Sequence, residues 1–288
     1  MKSNDTQSIS LADSRWFHSF PLVVSPHTDE WFAGLLLRCD EANLWESGGT
    51  LAYVLQAVQR TNQKKEANLV LPALRVIRQL AECLALPAEQ VLATTFYTEL
   101  ARCYGTVSPH VTQLNRVLSV RICPDCIRSA QLLTRSLVLP HLHFCPSHRV
   151  AYVSSCQCSS RLKLFGASAS PFICAECHTD WRLLPCQPVH PDQMRQEQQV
   201  WSFYRFFLDQ GTPQILAKTV HYIRRKMKRE KIIQAKLLDG TVMRAEHYEL
   251  RRHSLSYLVN VLVSLEIELT EISSLGKLEW REELENSS

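Results

Sequence analysis

The chain has 288 residues, 45% of them hydrophobic and 21% charged, with a net charge of +4. That balance is ordinary for a globular protein of two or three domains and excludes a disordered or collagenous chain. The longest apolar runs, such as Leu35-Leu36-Leu37, fall far short of a membrane span. The opening "MKSNDTQSISLADSRWF" has no basic region followed by an apolar one, so no signal peptide is expected. Eleven Cys, odd in number and clustered, do not suit a disulfide framework. In a reducing, cytoplasmic setting such clustering points to metal.

Residues 1–20 are polar and read as a flexible segment, with Trp16, Phe17 and Phe20 able to pack. A helix is expected from Thr28, with Thr28 as cap and Asp29 and Glu30 in the first turn. Phe32, Leu35, Leu36 and Cys39 repeat at helical spacing. "SGG" at 47–49 ends that unit, and Leu51, Val54, Leu55 and Val58 mark a second helix. "RTNQKKEAN" at 60–68 reads as a polar loop. Two short helices follow between 72 and 102, joined by "LALPAEQ", with Pro87 placed to start the second. They fit a plain helical hairpin or a helix-turn-helix.

The zone 118–188 holds eight of the eleven Cys and few helical stripes. Its ligand types come in pairs: Cys123 and Cys126, Cys145 and His148, Cys156 and Cys158, Cys174 and Cys177. Three pairs have two-residue spacers, which let both side chains of a tight turn reach one metal. Eight ligands fit two four-coordinate structural zinc ions, and thiolate with neutral imidazole suits that metal. Cys156-Gln-Cys158 is the tightest pair, and Cys186 or His178 could replace one member. Sequential pairing is favoured over a cross-braced RING-like order, since seven residues separate His148 from Cys156. His141 and His143 fall outside the pairs and read as surface residues or supports of the ligands. Cys39, Cys83 and Cys103 read as buried free thiols.

No enzyme is expected. There is no H-E-x-x-H, and the lone H-x-E, His247-Tyr-Glu249, lies after the Cys pairs, unlike zinc deaminases. Phosphate-loop, dinucleotide and nucleophile-elbow motifs are missing as well. A loop-rich zone of this size lacks apolar core, and structural zinc can contribute about 10–16 kcal/mol per site to its folding.

After Pro188 helical stripes return, through Val200 to Leu208, Ile215 to Met227 and Leu255 to Leu265, with a turn at "LDG", 238–240. "HYIRRKMKREKIIQAK", 221–236, carries seven Lys or Arg against Glu230. Arg224, Arg225, Lys226, Lys228 and Arg229 could follow a phosphate backbone, or the face is simply solvated. The tail from Glu266 to Glu285 is acidic. The expected architecture is mainly α with small zinc-ribbon or zinc-finger modules. Residues 21–117 would form a helix-turn-helix-like domain, 118–188 two zinc modules, and 189–288 a helical domain.

The order of these features resembles the TniQ family, the target-selection adaptors of transposons, including CRISPR-associated ones. The resemblance rests on Pro26, Asp29, Glu30, Gly34, Leu35, Arg38 and Asn43, then on "RICPDC" at 121–126, "FCPSH" at 144–148 and two further Cys pairs. It covers about residues 20–185. The chain departs from it in "SLVLPHLHF", where members usually carry a Trp, and in the C-x-C pair. Residues 190–288 have no match to the minimal family core. The resemblance implies a non-enzymatic adaptor that links an RNA-guided effector or target DNA to a AAA+ ATPase, with room for self-association. It also raises the helices at 72–102 towards helix-turn-helix, although their sparse charge suits protein contact better than DNA. The alternative is a sequence-specific, zinc-containing DNA-binding regulator.

Overall fold

The computed structural model describes residues 19–58, 68–105, 120–165, 170–244 and 254–275. The expectations for Trp16, Phe17 and the polar loop at 60–67 lie outside these residues. Ten helices and four short strands are found among them, so the chain is mainly helical. No helix among the described residues is long and apolar enough to cross a membrane.

Helix α1 (Phe32–Ala42) runs through the middle of the N-terminal part, with eight of its eleven residues buried. It starts at Phe32 and not at Thr28, and its N-cap, Trp31, makes no side-chain cap bond. Asp29 takes φ 61° and turns the chain. Glu30 then bridges to Thr134, and the Trp31 N–H donates to Leu133 O at 2.7 Å. The capping chemistry of Thr28–Glu30 is therefore spent on pairing with a segment about a hundred residues away. Helix α2 (Gly49–Val58) is capped from a distance. The buried Asp40 carboxylate of α1 accepts from the Gly48 and Thr50 N–H groups at 2.8 and 2.6 Å. Burial raises the Asp40 pKa, and the bonds from Thr50 and Gly48 offset part of that rise. Phe20 closes this core edge-on against Trp45 and Tyr53.

Between 72 and 102 the chain forms three helices instead of two: α3 (Leu74–Cys83), α4 (Ala88–Leu92) and α5 (Tyr97–Tyr104). The expected second stripe breaks after Leu92, where the Thr94 and Thr95 hydroxyls donate back to Val91 O and Leu92 O and stop the helix. Pro87 sits at the N-cap of α4.

Helix α6 (Pro124–Ala130) follows, and strand β1 (Val150–Ala151) pairs antiparallel with β2 (Gln187–Pro188). The C-terminal part holds α7 (Pro191–Gln210), α8 (Pro213–Arg229), an antiparallel hairpin of β3 (Gln234–Lys236) and β4 (Val242–Arg244), α9 (Leu255–Ser264) and α10 (Leu269–Leu275). Helix α7 packs on α5, α9 and α10, while α8 packs on α5 and α10. The joint between α7 and α8 needs Gly211, since a Cβ there would lie 2.5 Å from Cys103 Sγ on α5. The hairpin turn carries Gly240 at φ 82°. A single apolar cluster runs from Phe20 to Ile272, so the three parts share one core.

Candidate metal centres

The structure gathers the eight paired Cys and His residues into two groups of four, in sequential order. Cys123, Cys126, Cys145 and His148 form one; Cys156, Cys158, Cys174 and Cys177 form the other. Within each group one ligand atom per residue lies within 4.8 Å of all the others.

In the first group, Pro124 occupies the first turn of α6, so Cys123 and Cys126 flank a helix N-terminus. The other half is a knuckle, a tight turn with a fixed hydrogen-bond pattern. The Cys145 N–H donates to Val150 O at 2.8 Å, and the Arg149 N–H donates back to Cys145 O at 2.7 Å. Arg149 makes the turn at φ 57°. The His148 Nδ1 lies 3.5, 3.2 and 3.6 Å from the sulfurs of Cys123, Cys126 and Cys145. The three cysteines are buried and His148 is exposed. Hydrogen bonds from Cys123 and Cys126 hold the Cys145 thiol well below its ordinary pKa, against the opposing effect of burial.

The second group repeats that knuckle. The Cys174 N–H donates to Thr179 O and the His178 N–H to Cys174 O, at 2.9 and 3.0 Å, with His178 at φ 57°. The Cys156 turn is the same device shortened by one residue. The Cys156 N–H donates to Ser160 O and the Ser159 N–H to Cys156 O, with Ser159 at φ 67°. The shorter turn accounts for the single-residue spacer of Cys156-Gln-Cys158. His178 serves as the turn residue and stays outside the group, as does Cys186, which lies beside Asp125 and Arg128. Cys158 and Cys177 are exposed. Bonds from Thr179 pull the Cys177 pKa down to about 6.

Both groups fit a metal ion. A tetrahedral site with metal–sulfur bonds of about 2.3 Å separates its sulfurs by about 3.8 Å. The sulfurs of Cys126 and Cys145 lie 3.6 Å apart in the first group, and those of Cys156 and Cys177 and of Cys158 and Cys174 lie 3.4 and 3.7 Å apart in the second. Four donors complete a coordination shell and leave no open position for substrate, the arrangement of a site that holds structure.

The first group is built into the rest of the molecule. Its flanking segment 133–135 receives the N-terminal residues 29–31, and the Arg135 N–H donates to Asp29 O at 2.8 Å. The Arg135 guanidinium reaches Thr95 O, Glu99 and Asp29. Gly34 of α1 lies against Leu133, where a Cβ would come within 3.0 Å of the Leu133 Cβ. Glu30, fully buried, forms a two-pronged ion pair with Arg38, both bonds at 2.8 Å. Asn43 donates to Leu22 O and accepts from Leu22 N–H. Asp29, Glu30, Arg38 and Arg135 therefore act as a latch that joins α1 to the segment carrying the first group.

The two remaining histidines of "HLHFCPSH" do other work. The His143 Nδ1 and backbone N–H meet the two oxygens of the buried Glu197 carboxylate on α7, at 2.9 and 2.7 Å. His141 is half-buried, its pKa lowered by burial despite nearby Asp239. Neither belongs to the first group. No sequence signal marked the partnership between His143 and Glu197, which are 54 positions apart.

The predicted basic stretch lies on α8. Arg225, Lys228 and Arg229 are exposed, whereas Arg224 and Lys226 are half-buried. The five cations therefore do not form one uniform face.

The TniQ family model matches residues 21–151, and the chain carries a TniQ domain over that span. The first metal group and the latch lie inside the matched span, and the second group lies beyond it. No curated protein matches the chain.

Proposed function

We propose that this TniQ-family protein is an adaptor in targeted DNA transposition, linking a target-recognition module to a AAA+ ATPase. The target module is an RNA-guided effector or the target DNA itself. The family match over a domain that includes a complete four-donor group carries the reading. In it, each group holds one structural zinc ion, because a donor set rich in thiolate suits zinc. The ligands are Cys123, Cys126, Cys145 and His148 for one ion, and Cys156, Cys158, Cys174 and Cys177 for the other. The helices α3 to α5 take the helix-turn-helix-like role and meet protein. The end of α8 meets nucleic acid, through some or all of Arg224, Arg225, Lys226, Lys228 and Arg229.

The test is reconstitution of the purified chain with the AAA+ ATPase of its own transposon, on DNA with ATP. The chain is expected to co-migrate with ATPase–DNA assemblies. Tight, sequence-specific DNA binding by the chain alone, with no association with the ATPase, would favour a DNA-binding regulator instead. The exposed cations of α8 are the observation that keeps that second reading open.

A further inference from the structure

Burial sorts the cations at the end of α8. Arg225, Lys228 and Arg229 are exposed and spaced i, i+3 and i+4, so they share one side of the helix. His221, one turn earlier, is exposed on that side, as is Lys231 just past the helix end. Lys226 is turned inward: its side chain keeps 14% exposure and reaches Glu230 at 3.8 Å. Together with Tyr222, the cations line a concavity open to solvent. Among the described residues, the neighbouring acids are Glu230, 3.3 Å from Arg229, and Glu271 on α10, which holds the Tyr222 hydroxyl.

We infer that Arg225, Lys228 and Arg229 bind the phosphate backbone of duplex DNA, without reading its sequence. This deepens the nucleic-acid role proposed above for α8 and rests on it. Three observations select this ligand. The three cations span five residues of rigid helix, about 6 Å of rise, over which duplex DNA offers several phosphates. No Phe, Tyr or Trp among the described residues is exposed. Single strands are held mainly by stacking bases on such rings. Tyr222, which lines the concavity, is half-buried with its hydroxyl engaged. Finally, no Asn or Gln accompanies the cations between Tyr222 and Arg229 to read adenine edges, which leaves guanine contacts by Arg225 and Arg229 as the base reading that a comparison of two sequences tests. Cations in such a setting position a protein on DNA and leave sequence to another module.

The experiment titrates the full chain against short duplex DNA of two unrelated sequences, single-stranded DNA and single-stranded RNA, across a salt series. Duplex DNA is expected to bind more tightly than either single strand, with equal affinity for the two sequences. Changing Arg225, Lys228 and Arg229 together to Gln is expected to lower the slope of log affinity against log salt by about 2.7. Arg205→Gln, an exposed cation on α7, is expected to leave the slope unchanged. Unchanged duplex binding by the triple variant, equal loss in the Arg205 control, or tighter binding of either single strand would overturn the inference. Metal content and circular dichroism of the triple variant establish that it is folded. Association with the ATPase is measured in parallel. A chain that binds duplex DNA this way but ignores the ATPase would sink the adaptor reading alone. One that joins the ATPase, with a DNA affinity the triple variant matches, would sink this inference alone.

Discussion

The two four-donor groups use the same local chemistry in opposite surroundings. Each contains a Cys knuckle closed by a non-glycine residue at positive φ, Arg149 in one and His178 in the other. The first group buries its three thiols between α6 and β1 and is tied to α1 by the latch of Asp29, Glu30, Arg38 and Arg135. The second exposes two of its four thiols. Its polar links to the N-terminal helices are Arg182 to Glu41 at 2.9 Å and the Ser47 hydroxyl to Leu164 O at 2.7 Å, while its buried Cys156 and Cys174 join the main apolar core. A metal knuckle can thus be closed off from solvent or left half open to it.

Four variants test that contrast, from the largest expected effect to the smallest. Cys126→Ser removes a buried ligand from the first group. It is expected to abolish soluble, folded protein, because a structural zinc contributes about 10–16 kcal/mol of apparent folding energy. Size-exclusion chromatography and metal analysis read that outcome; a soluble chain with one zinc would break the contrast. Arg38→Ala leaves the Glu30 carboxylate buried and unpaired. A loss of about 3–5 kcal/mol in urea unfolding is expected, and a loss below about 1 kcal/mol would mean that the latch is ornamental. Cys158→Ser, at the exposed group, is expected to give a soluble protein with one zinc instead of two and an N-terminal core that still melts cooperatively. Differential scanning calorimetry with metal analysis checks it, and insolubility would put the two groups on an equal footing. Arg182→Ala breaks an ion pair in which both side chains are more than a quarter exposed. A change of no more than about 1 kcal/mol is expected in the same urea assay. A larger loss would show that the second group is tied to α1 more firmly than its geometry suggests.

The metal groups were legible in the sequence because spacing alone encodes a knuckle. Ligand positions are fixed by local backbone turns, and the C-x-C pair fitted once its turn proved one residue shorter. The elements that the sequence misplaced were those whose local chemistry is used by distant partners. Thr28, Asp29 and Glu30 look like a helix start, yet Glu30 pairs with Thr134 and Arg38 instead. Leu92 to Phe96 continue a helical stripe, but Thr94 and Thr95 bond back and end it. Charge along α8 reads as one run, while packing on α5 and α10 divides it into exposed and half-buried cations. Pairing across a hundred residues, and the side of a helix that a neighbour covers, leave no local trace.

The account turns on the first group as the metal site that holds the N-terminal helices in place. Its most direct test is a chelator titration of the purified chain, with released zinc and helical circular dichroism followed together. The account predicts two zinc ions per chain. The first leaves while the helical signal persists, and the second leaves only as that signal collapses. Folded protein without zinc, or full helical signal after both ions have gone, would contradict it.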